Sequence, residues 1–469
     1  MASNDAGKTI RAWEDDPGAP PNNRTPIPRP LPEMDRKPLS VGIRGAVPAA
    51  GSDAVGSAEF RYWTAAEALR RGADLWGAVV PNTTSWHSTV GPVLLAGLDE
   101  GRDFNAFYDR HGLSFFHGTA AGVTVFSGES ADVVCHELGH AVLDAIRPQL
   151  WDTASAEVAA FHESFGDMSA LLSALQLDSF RNKVLMETGG GLSQSSSLSR
   201  LAEQLGWAIR QRAPQAVDPD CLRNAANDFF YHDPVTLRSN APASQLSSEP
   251  HSFSRVFTGA FLRILAGIFQ AQQTSDSAGL DQASADAGQL LVHAILEAPV
   301  VPGYYSQVAA HMIAADDALF NGRYGPALRS AFVRHGVLSP VAATSLTSEE
   351  IAPHRDAMAA AATPGVQPAL PEIRISGEQY GITGSFTVQV PGQPARFRVA
   401  GAAPDIGSLE PGNGERVATS FVEDLFRQGR VQVATAMRTA VALVDEQTVK
   451  THEITEQNGA QRLIRRLFD

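Results

Sequence analysis

The segment 131–146, ADVVCHELGHAVLDAI, constrains this chain more than any other part of its sequence. Its apolar residues recur at helical spacing, and Ser130 or Ser127 can cap its start, so we predict a helix over these residues. Residues four apart lie on one face of a helix. His136 and His140 are therefore expected to point in one direction, where both can bind the same metal ion.

A second predicted helix, over 154–176, carries Glu163 and Asp167 four residues apart. Two histidines and one glutamate leave a zinc ion with an open fourth position, which is typical of catalytic rather than structural sites. We expect His136, His140 and Glu163 to bind one Zn²⁺ per chain. Asp167 is then placed to accept the remaining N–H of a ligand imidazole, which fixes the tautomer of that ring.

The segments SADVVCHELGHAVLDA and HESFGD resemble the thermolysin-like neutral zinc metallopeptidases, the gluzincin group whose third metal ligand is a glutamate. The resemblance implies an α+β fold with a two-lobed core, in which an N-terminal mixed β-rich lobe meets a C-terminal helical lobe. It also implies a zinc-dependent endopeptidase that hydrolyses peptide bonds with a metal-activated water. Glu137 would be the general base, and peptides or proteins would be the substrates.

Further segments resemble parts of this family and occur in the family's order. The segment NAFY at 105–108 resembles the edge strand that holds the substrate backbone, so Asn105 and Ala106 are predicted to bind substrate. Arg238, in TLRS, resembles the arginine that grips a substrate carbonyl, although a surface or structural ion pair is its alternative role. His251, in PHSFS, resembles a second, electrophilic histidine and is expected to be catalytic; packing or surface exposure is its alternative.

The chain departs from the family pattern where the family has an oxyanion-stabilising tyrosine. Trp151 occupies that position, and its indole N–H can donate a hydrogen bond with a different reach and no titratable hydroxyl. Trp151 is thus the oxyanion candidate, with His251 carrying more of that role or activity being reduced. Glu249 is a candidate to orient His251. Calcium is not predicted, because Ala174 replaces an acid of the family and 177–191 is poor in oxygen ligands.

The remaining sequence indicates a division into several units. We predict a flexible Pro-rich tail, an N-terminal mixed lobe that ends in the zinc-binding helix, a helical lobe, a linker and an α+β appendage, at 1–40, 41–150, 151–345, 346–370 and 371–469. Other helices are predicted at 58–80, 196–212, 253–272, 283–298, 303–319 and 325–335. In the appendage we expect strands at EIRISG, GSFTVQV, ARFRVAG and AVALVDE, and a helix near VATSFVEDLFRQG.

Composition restricts the partners. A net charge of -14 without basic clusters argues against nucleic acid and against an anionic membrane, and no stretch is predicted to span a bilayer. Two cysteines, Cys135 and Cys221, and no apolar leader predict a cytoplasmic location, with leaderless export left open. Cys135 is interpreted as a small buried side chain. The alternative function is a non-catalytic or highly restricted zinc-binding protein of this type that acts as a binding or scaffold module.

Overall fold

The computed structural model describes residues 9–22, 24–51, 54–346, 369–392, 413–439, 448–457 and 459–469. These residues form a mixed α+β fold, which confirms the predicted class at this level. The described helices are α1 (Ala58–Gly77), α2 (Ala131–Ile146), α3 (Ala156–Ala174), α4 (Asp178–Thr188), α5 (Glu203–Arg210), α6 (Pro250–Gln270), α7 (Ser277–Glu297), α8 (Tyr304–Phe320), α9 (Gly325–Arg334), α10 (Pro340–Ser345) and α11 (Gly414–Arg427).

The strands are short and belong to several small sheets. They are β1 (Thr9–Ala12), β2 (Ile27–Pro30), β3 (Val41–Ile43), β4 (Leu94–Gly97), β5 (Ala106–Tyr108), β6 (Leu113–Phe115), β7 (His117–Ala120), β8 (Val123–Phe126), β9 (Arg200–Leu201), β10 (Arg223–Asn224), β11 (Glu372–Ser376), β12 (Ser385–Gln389), β13 (Val431–Val433), β14 (His452–Gln457) and β15 (Ala460–Arg465).

Helix α2 spans the residues predicted for it and lies in the core, in contact with α1 and α3. Ser130 caps its start, because its side chain accepts a hydrogen bond from the backbone N–H of Val133 at 3.4 Å. Ser155 does the same for α3 through the N–H of Val158, also at 3.4 Å. Both helices are buried along almost their whole length, so their polar side chains face other protein groups rather than solvent.

Two glycines let α2 and α3 approach each other closely. A Cβ at Gly139 would lie 3.0 Å from the Cα of Gly166 and 2.5 Å from Oγ of Ser169. A Cβ at Gly166 would lie 2.6 Å from the imidazole of His136. These separations are shorter than packed atoms tolerate, so glycine is required at both positions. The close approach brings the polar faces of the two helices together.

A four-stranded sheet in the order β3-β4-β6-β5 lies beside α2 and places β5 at its edge. Strand β5 pairs antiparallel with β6 on one side, with Ala106 opposite Phe115 and Tyr108 opposite Leu113. On its other side, Tyr108 makes an antiparallel bridge with Phe468, far away in the sequence. The outer edge of β5 is therefore where a distant segment of the chain reaches the N-terminal sheet.

The N-terminal segment differs from the flexible tail predicted for 1–40. From residue 9 onward β1 pairs antiparallel with β2, and Ile10 and Ala12 are buried. Asp16 is also buried and accepts a hydrogen bond of 2.6 Å from Oγ of Ser130. Alternate residues of β1 face the core, so this part of the chain is not a flexible tail. The prediction missed the strand because its pattern is too short to outweigh the polar and proline-rich composition around it.

Helices α6 to α9 pack against one another, and α6 and α8 also contact α3. Among the described residues, α6 alone is long and apolar enough to cross a membrane by length and composition. However, 83% of its apolar window is buried inside the fold, which is the environment of a core helix.

The C-terminal unit comprises the described residues between 369 and 469. Its five-stranded mixed sheet has the order β11-β12-β15-β14-β13, and α11 accompanies it. Phe426 of α11 stacks on Tyr380 with ring centroids 4.1 Å apart. The predicted strands ARFRVAG and AVALVDE lie outside the described residues, as does most of the predicted linker. Beyond β15 the chain leaves this sheet and reaches β5.

Candidate metal centre

Three buried side chains from α2 and α3 converge on one point. Nε2 of His136 lies 3.3 Å from Oε2 of Glu163, and Nε2 of His140 lies 3.8 Å from the same oxygen. One ligand atom from each residue lies within 4.8 Å of the others. Nε2 of His140 is buried and has no hydrogen-bond partner among the described residues. Such a cluster of imidazole nitrogens and a carboxylate oxygen fits a metal ion, which would satisfy the unpaired nitrogen.

Asp167 forms a hydrogen bond with the ring nitrogen of His136 that does not face Glu163. Its Oδ1 lies 3.1 Å from Nδ1 of His136 and 2.8 Å from Nη2 of Arg223, and Thr258 donates to Oδ2 at 3.3 Å. Burial opposes ionisation of Asp167, but Arg223 and His136 hold its pKa below its usual range. Burial also opposes a charged His136, yet hydrogen bonds with Asp167 and Glu163 raise its pKa to about 9. Nδ1 is thus fixed by Asp167, and Nε2 faces Glu163.

The second histidine has an unexpected neighbour, His162. Nδ1 of His140 lies 3.3 Å from Nδ1 of His162, and burial lowers the pKa of both rings well below the usual value. Phe468 stacks on His162 with ring centroids 3.9 Å apart and on His140 at 5.0 Å. Sequence reasoning missed His162, because its spacing does not mark it as a metal ligand. Its place next to Glu163 was the one available signal.

Glu137 borders a cavity of about 360 Å³. The cavity lies beside the group of His136, His140 and Glu163, which we call the metal cluster. Oε2 of Glu137 is buried, and no hydrogen-bond partner for it occurs in the described part of the chain. Burial raises the pKa of Glu137 to about 8, although His136 acts in the opposite direction. The side chains around this cavity include Asn105, Ala106, His136, Arg223 and His251.

His251 lies in the first turn of α6 and faces the cluster. Its Nε2 is 3.2 Å from Oε2 of Glu163, and its Nδ1 is 2.7 Å from Oε1 of Glu249. Burial disfavours the charged ring, but Glu163 and Glu249 raise the pKa of His251 to about 10. Glu249 also caps α6 by accepting the N–H of Ser252 at 2.9 Å. The structure thus brings His251 to the metal cluster and Glu249 to His251.

The predicted substrate-binding residues divide into two groups. Asn105 and Ala106 line the cavity, and Oδ1 of Asn105 accepts the N–H of Ala106 at 2.9 Å. Arg238 is exposed and is not among the residues that surround the cavity. Its backbone carbonyl accepts the N–H of Ser248 at 2.9 Å. The structure therefore does not bring Arg238 to the site.

Arg223 is one of the arginines that line the cavity, with Arg255 and Arg430. It lies on β10, whose pairing with β9 sets Arg223 opposite Leu201. Its guanidinium binds Asp167 at 2.8 Å and lies 3.5 Å from Nδ1 of His136. Sequence reasoning missed Arg223 because a two-residue strand has no periodicity that marks it.

Trp151 is buried, and its indole N–H is already used. Nε1 donates to the backbone carbonyl of Arg465 at 3.2 Å, and the ring lies edge-on to Tyr108 and Phe468. Trp151 does not border the cavity beside Glu137. In this arrangement Trp151 does not offer its indole N–H to an oxyanion, because that N–H is bonded to the C-terminal unit.

Both cysteines are buried and free. Sγ of Cys135 lies 3.5 Å from the carbonyl oxygen of Ala68, and burial raises the pKa of this thiol to about 12. Cys135 is therefore a packed core side chain, as predicted, and does not face the metal cluster.

No protein-family model matches the chain, and comparison with curated proteins gives no match. What the chain does must therefore be inferred from the site itself.

Proposed function

We propose that this chain is a zinc-dependent endopeptidase with the two-lobed, thermolysin-like arrangement. The observation that carries the proposal is the buried group of His136, His140 and Glu163 beside the unpartnered carboxylate of Glu137. Two imidazoles and one carboxylate favour zinc, and three protein ligands are typical of its catalytic sites. The N-terminal lobe would contain the sheet with β5, the helical lobe would contain α3 and α6 to α9, and the cavity would lie between them.

The residues around the cavity have separate roles in this proposal. When bound, the ion supplies a Lewis acid for a peptide carbonyl and lowers the pKa of a water molecule. Glu137 would take a proton from the attacking water and later pass it to the leaving amine, and a nearby cation would favour its ionised form. His251, with Nδ1 held by Glu249, donates from Nε2 to the oxygen that gains negative charge. Asp167 keeps Nε2 of His136 directed at the cluster.

A peptide substrate would bind along the outer edge of β5. An edge strand offers unpaired backbone groups, and an extended peptide satisfies them by adding as a further strand. Asn105 and Ala106 border the cavity at the start of this edge. Arg223, rather than Arg238, supplies the guanidinium for a substrate carbonyl, since its planar group is already fixed by Asp167.

The alternative is a zinc-binding protein without catalysis, and the engaged indole N–H of Trp151 favours it. Metal analysis and cleavage of a diverse peptide library by wild type and by Glu137→Gln separate the two functions. We expect equal zinc content in both proteins and cleavage by wild type alone. Absence of zinc from the wild type would contradict both functions. Zinc with no cleavage by any form, including the variants described below, would favour the non-catalytic role.

A further inference from the structure

The segment 465–469 lies along the outer edge of β5. The N–H of Tyr108 donates to the carbonyl of Phe468 at 3.0 Å, and the N–H of Phe468 donates to the carbonyl of Tyr108 at 2.9 Å. Both bonds belong to one antiparallel bridge. An internal segment thus occupies the strand position that the proposed function assigns to a peptide substrate.

The segment also reaches the groups that would act on a substrate. The main-chain oxygen of Asp469 makes a hydrogen bond with Nε2 of His251. The side chain of Asp469 accepts a hydrogen bond of 3.0 Å from Nη1 of Arg430 and borders the same cavity as Glu137. A main-chain oxygen therefore already occupies the donor that the proposed mechanism reserves for a substrate carbonyl.

Buried contacts anchor the segment in this position. Phe468 is 1% exposed, and its ring stacks on His162 at 3.9 Å. The guanidinium of Arg465 lies 3.9 Å from the centroid of the same ring and donates to the carbonyl of Trp151 at 2.9 Å. Asp152 accepts the backbone N–H of Arg465 at 3.0 Å. These contacts bury Arg465 and Phe468 within the fold.

We propose that the segment 465–469 is an internal pseudosubstrate, which occupies the peptide groove and keeps the site inactive until the C-terminal unit is displaced. This inference rests on the proposed function. Packing alone would account for the burial of Phe468. It would not require the segment to pair with the edge of β5 and also to place a main-chain oxygen on His251. An extended peptide with an aromatic residue before the carbonyl that meets His251 is therefore the ligand that the groove accepts.

The test uses the full chain with the double variant Phe468→Ala and Asp469→Ala. Arg462→Ala is the matched control, because its side chain is 28% exposed, pairs with Glu372 of β11 and lies outside both the segment and the cavity. Loss of the buried ring should shift the bound segment towards the open state. We expect about tenfold or greater increases in amide hydrogen exchange at Tyr108 and in kcat/KM for the peptide library. The control should match the wild type in both measurements.

A second measurement does not depend on catalysis. A labelled peptide with the sequence RRLFD should bind the double variant in a Glu137→Gln background more tightly than it binds Glu137→Gln alone. Tyr108 exchange and peptide binding that are the same in variant and control would overturn the pseudosubstrate. If both respond while no form cleaves peptides, the occupied groove is supported and the endopeptidase proposal fails.

A milder variant covers the case in which the double variant does not fold. Phe468→Leu keeps an apolar side chain of similar size and removes the stacking on His162. A smaller increase in Tyr108 exchange and in peptide binding is expected. No increase in either would count against the pseudosubstrate.

Discussion

The substitution Asp167→Asn tests how the protein would hold the proposed zinc ion. It preserves the size of the side chain and removes the charge that accepts hydrogen bonds from His136 and Arg223. Asp167 is buried and ionised, because these two partners hold its pKa below the usual range in spite of burial. An asparagine amide in its place presents a neutral and weaker acceptor to the imidazole. The ring is then less firmly oriented and less basic towards a metal ion.

The expected magnitude follows from these contacts. Loss of a partner that orients a ligand histidine lowers metal affinity about 10- to 100-fold, or about 1.4–2.8 kcal/mol of binding free energy. The metal-free protein should also lose stability. Arg223 would keep a largely buried charge without its ionic partner, and breaking a buried pair in this way costs about 3 kcal/mol or more.

Zinc affinity is measured by competition with a chromophoric chelator, and stability by chemical denaturation of the metal-free protein. Asp178→Asn is the control, since the side chain of Asp178 is 72% exposed and pairs with Arg181, which is not part of the metal cluster. Its zinc affinity and free energy of unfolding should match those of the wild type. An Asp167→Asn protein that binds zinc as tightly as the wild type would refute the orienting role.

Three further predictions concern catalysis and stability. Glu137→Gln should retain zinc and lower kcat/KM by about 10²- to 10⁴-fold in assays of peptide cleavage. Arg223→Lys should lower kcat/KM about tenfold because the planar fork is lost, whereas Arg238→Ala should leave it unchanged; the reverse pattern would contradict the assignment. Burial raises the pKa of Glu157 from 4.5 to about 7, so the folded state holds an extra proton between these values and the free energy of unfolding falls as the pH rises through them. The free energy of unfolding is measured by denaturation at pH 4.5 and at pH 8. Its decrease between these pH values should be about 3 kcal/mol smaller in Glu157→Gln than in the wild type, and equal decreases would exclude Glu157 as the cause.

The metal cluster was predictable because its information is local. His136 and His140 share a helical face by spacing alone, and Glu163 and Asp167 repeat that spacing on the next helix. The bounds of α2 followed from one capping serine and a regular apolar pattern. The structure adds that the two helices meet, which their sequences do not state separately.

Other residues were missed because long-range contacts decide their positions. Arg223 reaches the cavity through the pairing of two short strands, while Arg238 is exposed and is not among the residues that line the cavity. Trp151 was expected to face the site, but a carbonyl from the C-terminal unit takes its N–H. Periodicity and capping describe neighbours along the chain, so they carry no signal for such pairings.

Secondary structure failed where the apolar pattern is weak. Helix α4 was not predicted, because most of its residues are polar and only one face of it is buried. Helix α5 begins at 203, whereas 196–212 was expected to be helical, since the serines before it form a turn and lead into β9. In both cases tertiary packing rather than local preference sets the outcome.

The close approach of α2 and α3 at Gly139 and Gly166 makes the metal cluster part of the core itself. Its metal-ligand residues come from two central helices rather than from a loop, so a bound ion would act as a cross-link between these helices. Binding to the native state alone stabilises that state in proportion to the logarithm of ion concentration. Chelation would consequently weaken the whole helical scaffold, and loss of the ion and cooperative unfolding would be parts of one transition.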